Sequence, residues 1–434
     1  MSYNLNDAVI IGITGTVGKT STAYLVHEYL KHIGKKSILY SSLGIDSPYS
    51  GQAKTIEHEF LKGMDEFANI LNEALAYEAE YIVLEINEIS IPFTSEIPFD
   101  IKVLTNFNAF ENIHLLPEQL YQKKLAFFQN EEDAICLFNI KSDRLPDFVS
   151  DSHATNVVLY DSQGPSLAHN RTYQEFFNTA NRYLKVDNIN KVKYYPYARV
   201  PGLEESSMTV HIPNYNFRIE TTLITEKHLE NIMSAIATLC ELNVFDITAF
   251  QGFISNPDLI IPGRLQDHQW NGRNIIVDYD TAEGLKWISN LKTEYNRLIV
   301  VTGERGDHCA GNASIISQHP EYTFGRDYSL LANYINNYAD SVIVTTDDIN
   351  DETVENLTQG LASNLTIPYT IIGDRKEAIR QAILTSRMND IIVITWRGNR
   401  RIFRTGYDTA ELFRDYDIAK QAIQEYKDTI ENAD

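Results

Sequence analysis

The sequence predicts an α/β protein of two units, each built on a mostly parallel sheet, with a small antiparallel subsheet in the first. Three observations carry that prediction. Short apolar runs alternate with stretches of helical period along nearly the whole 434-residue chain, the rhythm of a sheet covered on both faces. The rhythm changes once, between about 151 and 222, where tyrosines cluster at Tyr194, Tyr195 and Tyr197 and apolar residues alternate with polar ones. SNPDLIIPGR (255–264), with two prolines and a glycine, then separates two blocks of like rhythm, giving units of 1–258 and 259–434.

Taken in order, AVIIGI (8–13) is a strand running into a glycine-containing turn, and KTSTAYLVHEYLKH (19–32) carries apolar residues at helical spacing until Gly34 stops it. SILY (37–40), YIVLEI (81–86), IKVLTN (101–106) and AICLFN (134–139) are further strands, with LPEQLYQKKLAFFQ (116–129) a helix between the last two. TVHIPNYNFRIETTL (209–223) folds as a hairpin about its Pro-Asn turn, and EKHLENIMSAIATLCEL (226–242) closes the first unit as a helix. In the second unit NIIVDY (274–279), RLIVVTG (297–303), SVIVTTD (341–347), YTIIG (369–373) and DIIVIT (390–395) are strands. Ligands of an open α/β sheet gather at the carboxyl ends of its strands, which singles out Asp278, Gly303, Asp347 and Arg397.

Composition excludes several classes. Apolar residues at 43% suffice for sizeable cores. A net charge of −22 disfavours nucleic acid and anionic membranes as partners. The N-terminal residues have no basic segment and no cleavage site, and the apolar stretch from Ala8 to Ile13 is too short to cross a bilayer. Cys136, Cys240 and Cys309 lie far apart, against a disulfide framework or a structural zinc site. A cytoplasmic protein is expected.

The strongest chemical signal is ITGTVGKTS (13–21), between a strand and a helix. Gly15 and Gly18 let successive N–H groups turn inward on a phosphate, and the helix start adds a positive end. Lys19 can reach the β- and γ-phosphates, and the Thr20 hydroxyl can ligate Mg²⁺. Thr16 and Ser21 complete the nucleotide-binding stretch. A glycine-rich turn before an ordinary helix is the plain alternative, but it leaves the Lys-Thr pair after Gly18 without a reason. Ile13 stands where the general pattern G-x-x-x-x-G-K-[ST] has its first glycine.

That variant, T-G-T-x-G-K-[ST], resembles the phosphate loop of the Mur ligase family, and other segments resemble the family's motifs in its own order. YIVLE (81–85) is similar to the strand ending in a magnesium-ligating Glu, which implies Glu85. LTNF (104–107) resembles T-N-[LI]. QKKLAFF (122–128) resembles the stretch whose lysine is carbamylated by CO2 in many members, which implies Lys124, with Lys123 one place away. FNIKSD (138–143) resembles N-x-D-D at Asn139 and Asp143, and HLEN (228–231) resembles a helix start that keeps Asn231. IPGRLQ (261–266) is similar to P-G-R-x-E, whose Arg264 would reach the ATP phosphates from a hinge. VDYDTAEGL (277–285) resembles a segment that sets Asp278 near the ribose. TTDDIN (345–350) resembles D-N-P-[RA], which implies Asp347 and Asn350 as contacts for the incoming amine, and GDRKEAI (373–379) resembles D-R-x-x-A-I. Within the family the tripeptide synthetases are most alike.

The resemblance implies a P-loop-type central ATPase domain followed by a Rossmann-like α/β C-terminal domain. It implies an ATP-dependent ligase that joins a small-molecule acid to an amine through an acyl-phosphate. Lys19, Lys124 and Arg264 are the expected catalytic residues. Mg²⁺ is expected on Thr20 and Glu85, with a second ion on Lys124 once its carbamate makes it an anionic oxygen donor. Taken alone, Lys124 reads as a solvated helix lysine.

The departures concern the substrates. The phosphate loop begins within the first twenty residues, so the UDP-sugar-binding domain that precedes it in the tripeptide synthetases is not expected. The run Asn108-Ala109-Phe110-Glu111 replaces an Asp-His pair, Thr281 replaces a histidine, and Asn350 replaces an arginine that recognises a diaminopimelate carboxylate. Glu88 stands either as a replacement metal ligand or as a surface residue, and His114 reads as a loop histidine. Two alternatives stay open: a poly-γ-glutamate-type synthetase, and a catalytically silent nucleotide-binding scaffold. A peptidoglycan amidotransferase subunit would need four cysteines for its zinc ribbon.

Overall fold

A computed structural model describes residues 8–46, 64–108, 117–129, 133–152, 154–160, 193–199, 202–212, 215–221, 223, 226–270, 272–279, 282–294, 296–306 and 328–431. The fold is mixed α/β, in two compact units: Met1–Tyr197 with Glu205–Leu259, and Ala198–Glu204 with Ile260–Asp434.

In the first unit β1 (Val9–Thr14) leads through a tight turn into α1 (Lys19–His32), followed by β2 (Ser37–Ser41) and the short β3 (Gly44–Asp46). Then come α2 (Met64–Tyr77), β4 (Tyr81–Glu85), β5 (Ile101–Leu104), α3 (Pro117–Phe128), β6 (Ile135–Asn139), α4 (Leu145–Asp151) and β7 (Asn156–Tyr160). These strands make one seven-stranded sheet in the order β3-β2-β4-β1-β5-β6-β7. Every pairing is parallel except β2 with β3. Its central strands are mostly apolar because both faces are covered; Ile10, Ile11, Ile13, Val83 and Val103 are all buried. β7 lies inside the stretch read as an antiparallel subsheet, but its NVVLY run joins the parallel sheet; the subsheet begins later.

That subsheet holds β8 (Lys193–Arg199), β9 (Gly202–Ile212) and β10 (Tyr215–Thr221) in the order β10-β9-β8. β9 and β10 pair antiparallel, as the alternation predicts. The unit closes with α5 (Glu226–Glu241) and α6 (Ile247–Ile254), the latter capped by the Asp246 carboxylate on the Ala249 N–H at 2.8 Å.

The second unit opens with β11 (Gln266–Trp270), a polar edge strand antiparallel to β12 (Arg273–Val277). It continues with α7 (Ala282–Ile288), β13 (Leu298–Glu304), α8 (Tyr328–Tyr338), β14 (Ser341–Thr346), α9 (Val354–Ala362), β15 (Tyr369–Ile371), α10 (Arg375–Leu384) and β16 (Ile391–Ile394). The sheet order is β11-β12-β16-β13-β14-β15, parallel from β12 onward. A two-stranded ribbon of β17 (Ile402–Arg404) and β18 (Ala410–Leu412) precedes the last helix, α11 (Asp415–Glu431). Two apolar cores cover the sheet, one around Ile275, Ile379 and Ile423 and one around Leu285, Leu298 and Leu361. Among the described residues no helix is long and apolar enough to cross a membrane.

Candidate active site

In the first sheet β1 has β4 on one side and β5 on the other, so the strand order reverses there and a crevice opens at the carboxyl ends. Four of the segments discussed above, 13–21, 81–85, 104–107 and 138–143, lie at those ends. Gly15 follows β1 with a φ of 153°, and a side chain there would put its Cβ 2.0 Å from Thr105 Oγ1. Gly18, at φ 83°, is the N-cap of α1, and its Cβ would lie 2.2 Å from Asn231 Oδ1. Only glycine fits either place. No side chain caps α1 and its first turn holds no acidic residue, so its N-terminal amides are presented to an anion.

The turn is braced from the end of β5. The Thr105 hydroxyl donates to Val17 O at 2.6 Å, Asn106 Oδ1 accepts from the Val17 N–H at 3.0 Å, and Asn106 O accepts from the Thr16 N–H at 3.0 Å. The Asn108 N–H donates to Thr16 Oγ1 at 3.0 Å. Asn139, buried on β6, donates to Thr105 O at 2.8 Å. Lys19 folds back over the loop, its ammonium donating to Gly15 O at 2.9 Å and Thr16 O at 3.0 Å. Ser21 is buried one turn along α1.

Three oxygens meet beside the loop. The Thr20 hydroxyl donates to Glu85 Oε1 at 2.9 Å and lies 2.9 Å from Ser42 Oγ, while the Ser42 N–H donates to Glu85 Oε2 at 2.8 Å. Two neutral hydroxyls and one carboxylate form a hard oxygen set of the kind Mg²⁺ takes. Ser42 escapes the sequence reading, although its place directly after a strand is the signal that could have found it.

Lys124 is wholly buried, which removes the reading of a solvated helix lysine; Lys123 beside it is half-buried. Its ammonium donates to Gly15 O at 2.8 Å and pairs with Glu88 Oε1 at 2.5 Å. Burial pushes the Lys124 ammonium down to about 8, against the pull of Glu88. Burial would raise the Glu88 carboxyl, but the charges of Lys124 and then Lys19 outweigh it and hold that group at about 2. Glu88 is therefore no surface residue.

The second unit places its predicted residues at two strand ends. Asp278, after β12, is buried and its Oδ1 accepts from the Leu265 N–H at 3.0 Å. The neighbouring Arg264 stacks its guanidinium over the Tyr279 ring at 4.4 Å and donates to Gly263 O at 3.2 Å. After β14, Asp347 accepts from Arg397 at 2.5 Å and Arg400 at 3.0 Å, and Asp348 accepts from the same two at 2.8 and 2.6 Å. Burial would raise the Asp347 carboxyl, but Arg400 and then Arg397 hold it well below the usual carboxylate range. Asn350 sits at φ 54°, donates from Nδ2 to Gly306 O at 2.6 Å, and keeps a buried Oδ1 that has no partner among the described residues. Arg400 is the functional-looking residue that sequence reasoning missed here. Ala109 to Glu111, His114, Thr281 and Cys309 lie outside the described residues, as do the side chains of Tyr194, Tyr195 and Tyr197.

Known proteins are similar to this chain in sequence and in fold. The diaminopimelate-adding enzyme of Prochlorococcus marinus subsp. pastoris, named UDP-N-acetylmuramoyl-L-alanyl-D-glutamate--2,6-diaminopimelate ligase, is 24% identical over 434 aligned residues, covering 96% of this chain and 77% of its own. UDP-N-acetylmuramyl-tripeptide synthetase 2 of Oceanobacillus iheyensis is 25% identical over 420, covering 92% of this chain and 73% of its own. Among solved structures, the MurF ligase of Thermotoga maritima in complex with ADP superposes with a TM-score of 0.58 at 12% identity, over 99% of this chain and 81% of that one. A folylpolyglutamate synthase from the same organism gives 0.55 at 14%, over 90% and 86%. The Mur ligase middle domain matches residues 13–239 and the Mur ligase glutamate ligase domain matches 263–397. With the loop, its bracing turn and both matched segments in that order along most of its length, the chain belongs to the Mur ligase family.

Proposed function

We propose that this ATP-dependent amide ligase activates a carboxylic acid as its acyl-phosphate and adds an amino acid to it, the acid being a small or peptide-like acceptor other than the UDP-N-acetylmuramoyl peptide of its relatives. The observation that carries the reading is the meeting of the Gly15–Lys19 turn with the Thr20, Ser42 and Glu85 oxygens. One holds phosphates, the other a hard cation beside them.

A carboxylate cannot acylate an amine directly, because oxide would have to leave. In the first step a carboxylate oxygen attacks the γ-phosphorus, the bond to the bridging oxygen breaks, and ADP departs with that electron pair. In the second the amine nitrogen attacks the acyl carbon, the bond to the phosphate oxygen breaks, and the nitrogen sheds a proton. Neither step needs a protein nucleophile, so positioning and charge neutralisation carry the catalysis. Lys19 exchanges its carbonyl contacts for phosphate oxygens, and the α1 amides hold the chain of phosphates. Thr20, Ser42 and Glu85 would hold Mg²⁺, which when bound supplies positive charge against the phosphate oxygens. On the second unit Arg264 and Asp278 are assigned to the nucleotide. Asn350 offers its Oδ1, which has no partner among the described residues, to an amine N–H, and Asp347 holds that turn through Arg397 and Arg400. A neutral amide here, in place of an arginine, is what supports a changed amine substrate.

The test is phosphate release from magnesium-ATP across a grid of small acids crossed with amino acids. Release that needs one acid and one amine together, with the condensed product seen by mass spectrometry, is expected. Failure to bind magnesium-ATP, or release indifferent to both partners, would overturn the reading.

A further inference from the structure

We infer that Lys124 works as an unmodified ammonium locked to Glu88, and that Glu88 thereby takes the place of the lysine carbamate that the family resemblance implies. The inference rests on the proposed nucleotide site and concerns only how its charge is balanced.

Among the described residues, the two groups that touch Lys124 Nζ are the Gly15 carbonyl at 2.8 Å and the Glu88 carboxylate at 2.5 Å. Both are acceptors, and one is an anion. An ammonium has three protons to give and nothing to accept, so this surrounding suits it. Carbamylation would form a bond from Nζ to the carbon of CO2, release a proton and leave two anionic oxygens. Those oxygens need donors or cations, and they would meet the Glu88 carboxylate, with a side-chain exposure of only 16%, at contact distance. With no cation between them, two anions side by side in so dry a place oppose one another strongly. The modification and the ion pair are thus alternatives.

Glu88 also delivers what the carbamate would. It is an anionic oxygen pair at the end of the strand that carries Glu85, and it faces both Lys124 and the charge of Lys19. A carboxylate built into the sequence needs no CO2 and cannot dissociate.

The experiment is carbon-13 NMR of the full chain in labelled bicarbonate, without and with magnesium-ATP, beside Glu88→Gln and, should that variant not fold, Glu88→Ser. The wild type is expected to show no carbamate resonance in either condition. The variants, which leave Lys124 without its anion, are expected to acquire one. A carbamate resonance in the wild type overturns the inference, and so does its absence from wild type and folded variant alike, because Glu88 would then not be what excludes it. Phosphorus-31 spectra of the same samples report nucleotide binding separately. A wild type that leaves ATP unbound counts against the nucleotide site, and a labelled lysine counts against this inference alone.

Discussion

Lys19 and Lys124 donate to the same carbonyl oxygen, that of Gly15, at 2.9 and 2.8 Å. A carbonyl has two lone pairs, so one oxygen can satisfy both. The two lysines are not equivalent. Lys19 lies on the first turn of α1 and also bonds Thr16 O, so it can turn towards a phosphate without leaving a buried charge behind. Lys124 is sealed beneath the loop and, among the described residues, its ammonium has Gly15 and Glu88 as partners. It ties the loop to α3 whether or not Lys19 stays, which separates binding chemistry from loop shape.

Lys19→Ala should therefore cut turnover severely and leave the fold unchanged. Losing one donor aimed at developing charge costs on the order of a hundred- to a thousandfold in kcat. Phosphate release and a thermal melt check the two halves. A loss below about tenfold would mean that the loop does not hold the reacting phosphate.

Ser42→Ala and Glu85→Gln should differ in degree at the same site. Glu85 supplies the only charge of the three oxygens, and its loss should remove measurable Mg²⁺ dependence at millimolar ion. Ser42 supplies a neutral oxygen, and its loss should raise the Mg²⁺ concentration for half-activity roughly tenfold. Titration of nucleotide binding against Mg²⁺ reads both. Equal effects from the two variants would argue that the carboxylate only positions Thr20.

Glu88→Gln should destabilise the first unit. Breaking a buried pair from one side typically costs about 3–5 kcal/mol, and the partial exposure of Glu88 puts the loss nearer 2. The pH dependence has a definite sign. Glu88 sits at about 2 against an ordinary 4.5, so its stabilisation is full above 4.5 and lost as pH falls towards 2. The gap between wild type and variant should close over that range. Lys124, held at about 8 against 10.5, works the other way: its burial penalty is full below 8 and fades as pH rises to 10.5. Denaturant melts across pH measure both limbs, and a gap that persists at pH 2 would count against the pair.

Much of this was legible from local pattern, and what was not depends on distance along the chain. α1 spans Lys19–His32 as its periodicity predicts, because Gly18 opens it and Gly34 follows it. The three-residue strands β3, β17 and β18 are too short for any period to show, and β11 reads QDHQW, a polar edge with no apolar run. The phosphate loop is contiguous and so could be read directly. Ser42, Asn106, Glu88 and Arg400 reach their partners only through the strand order, across separations of 22 to 89 residues for the hydrogen bonds of the first two and the last. Lys124 shows the limit most sharply: the motif implies it over its neighbour Lys123, but only packing shows that it is buried and paired with Glu88.

Asn350→Arg tests whether the amine subsite can be changed by restoring a guanidinium where the resembled motif carries one. Asn350 holds a left-handed backbone, a conformation that asparagine tolerates and that costs a longer side chain about 1–2 kcal/mol. Its Nδ2 bond to Gly306 O pins the turn after β13 to the turn after β14, and a Cβ added at Gly306 would lie 3.0 Å from the Asn350 Cβ. Arginine there must either break that bond or swing out of the turn, towards a cluster in which Arg397 and Arg400 already surround Asp347 and Asp348. Added positive charge beside those two arginines weakens the ion cluster without creating a fork aimed at substrate. The variant should lose about 1–3 kcal/mol of stability, by strain and a lost buried hydrogen bond. It should gain no use of diaminopimelate in the phosphate-release assay. A stable variant that accepts diaminopimelate would show that Asn350 sets amine choice by its charge alone, and that the turn built around Gly306 is incidental to it.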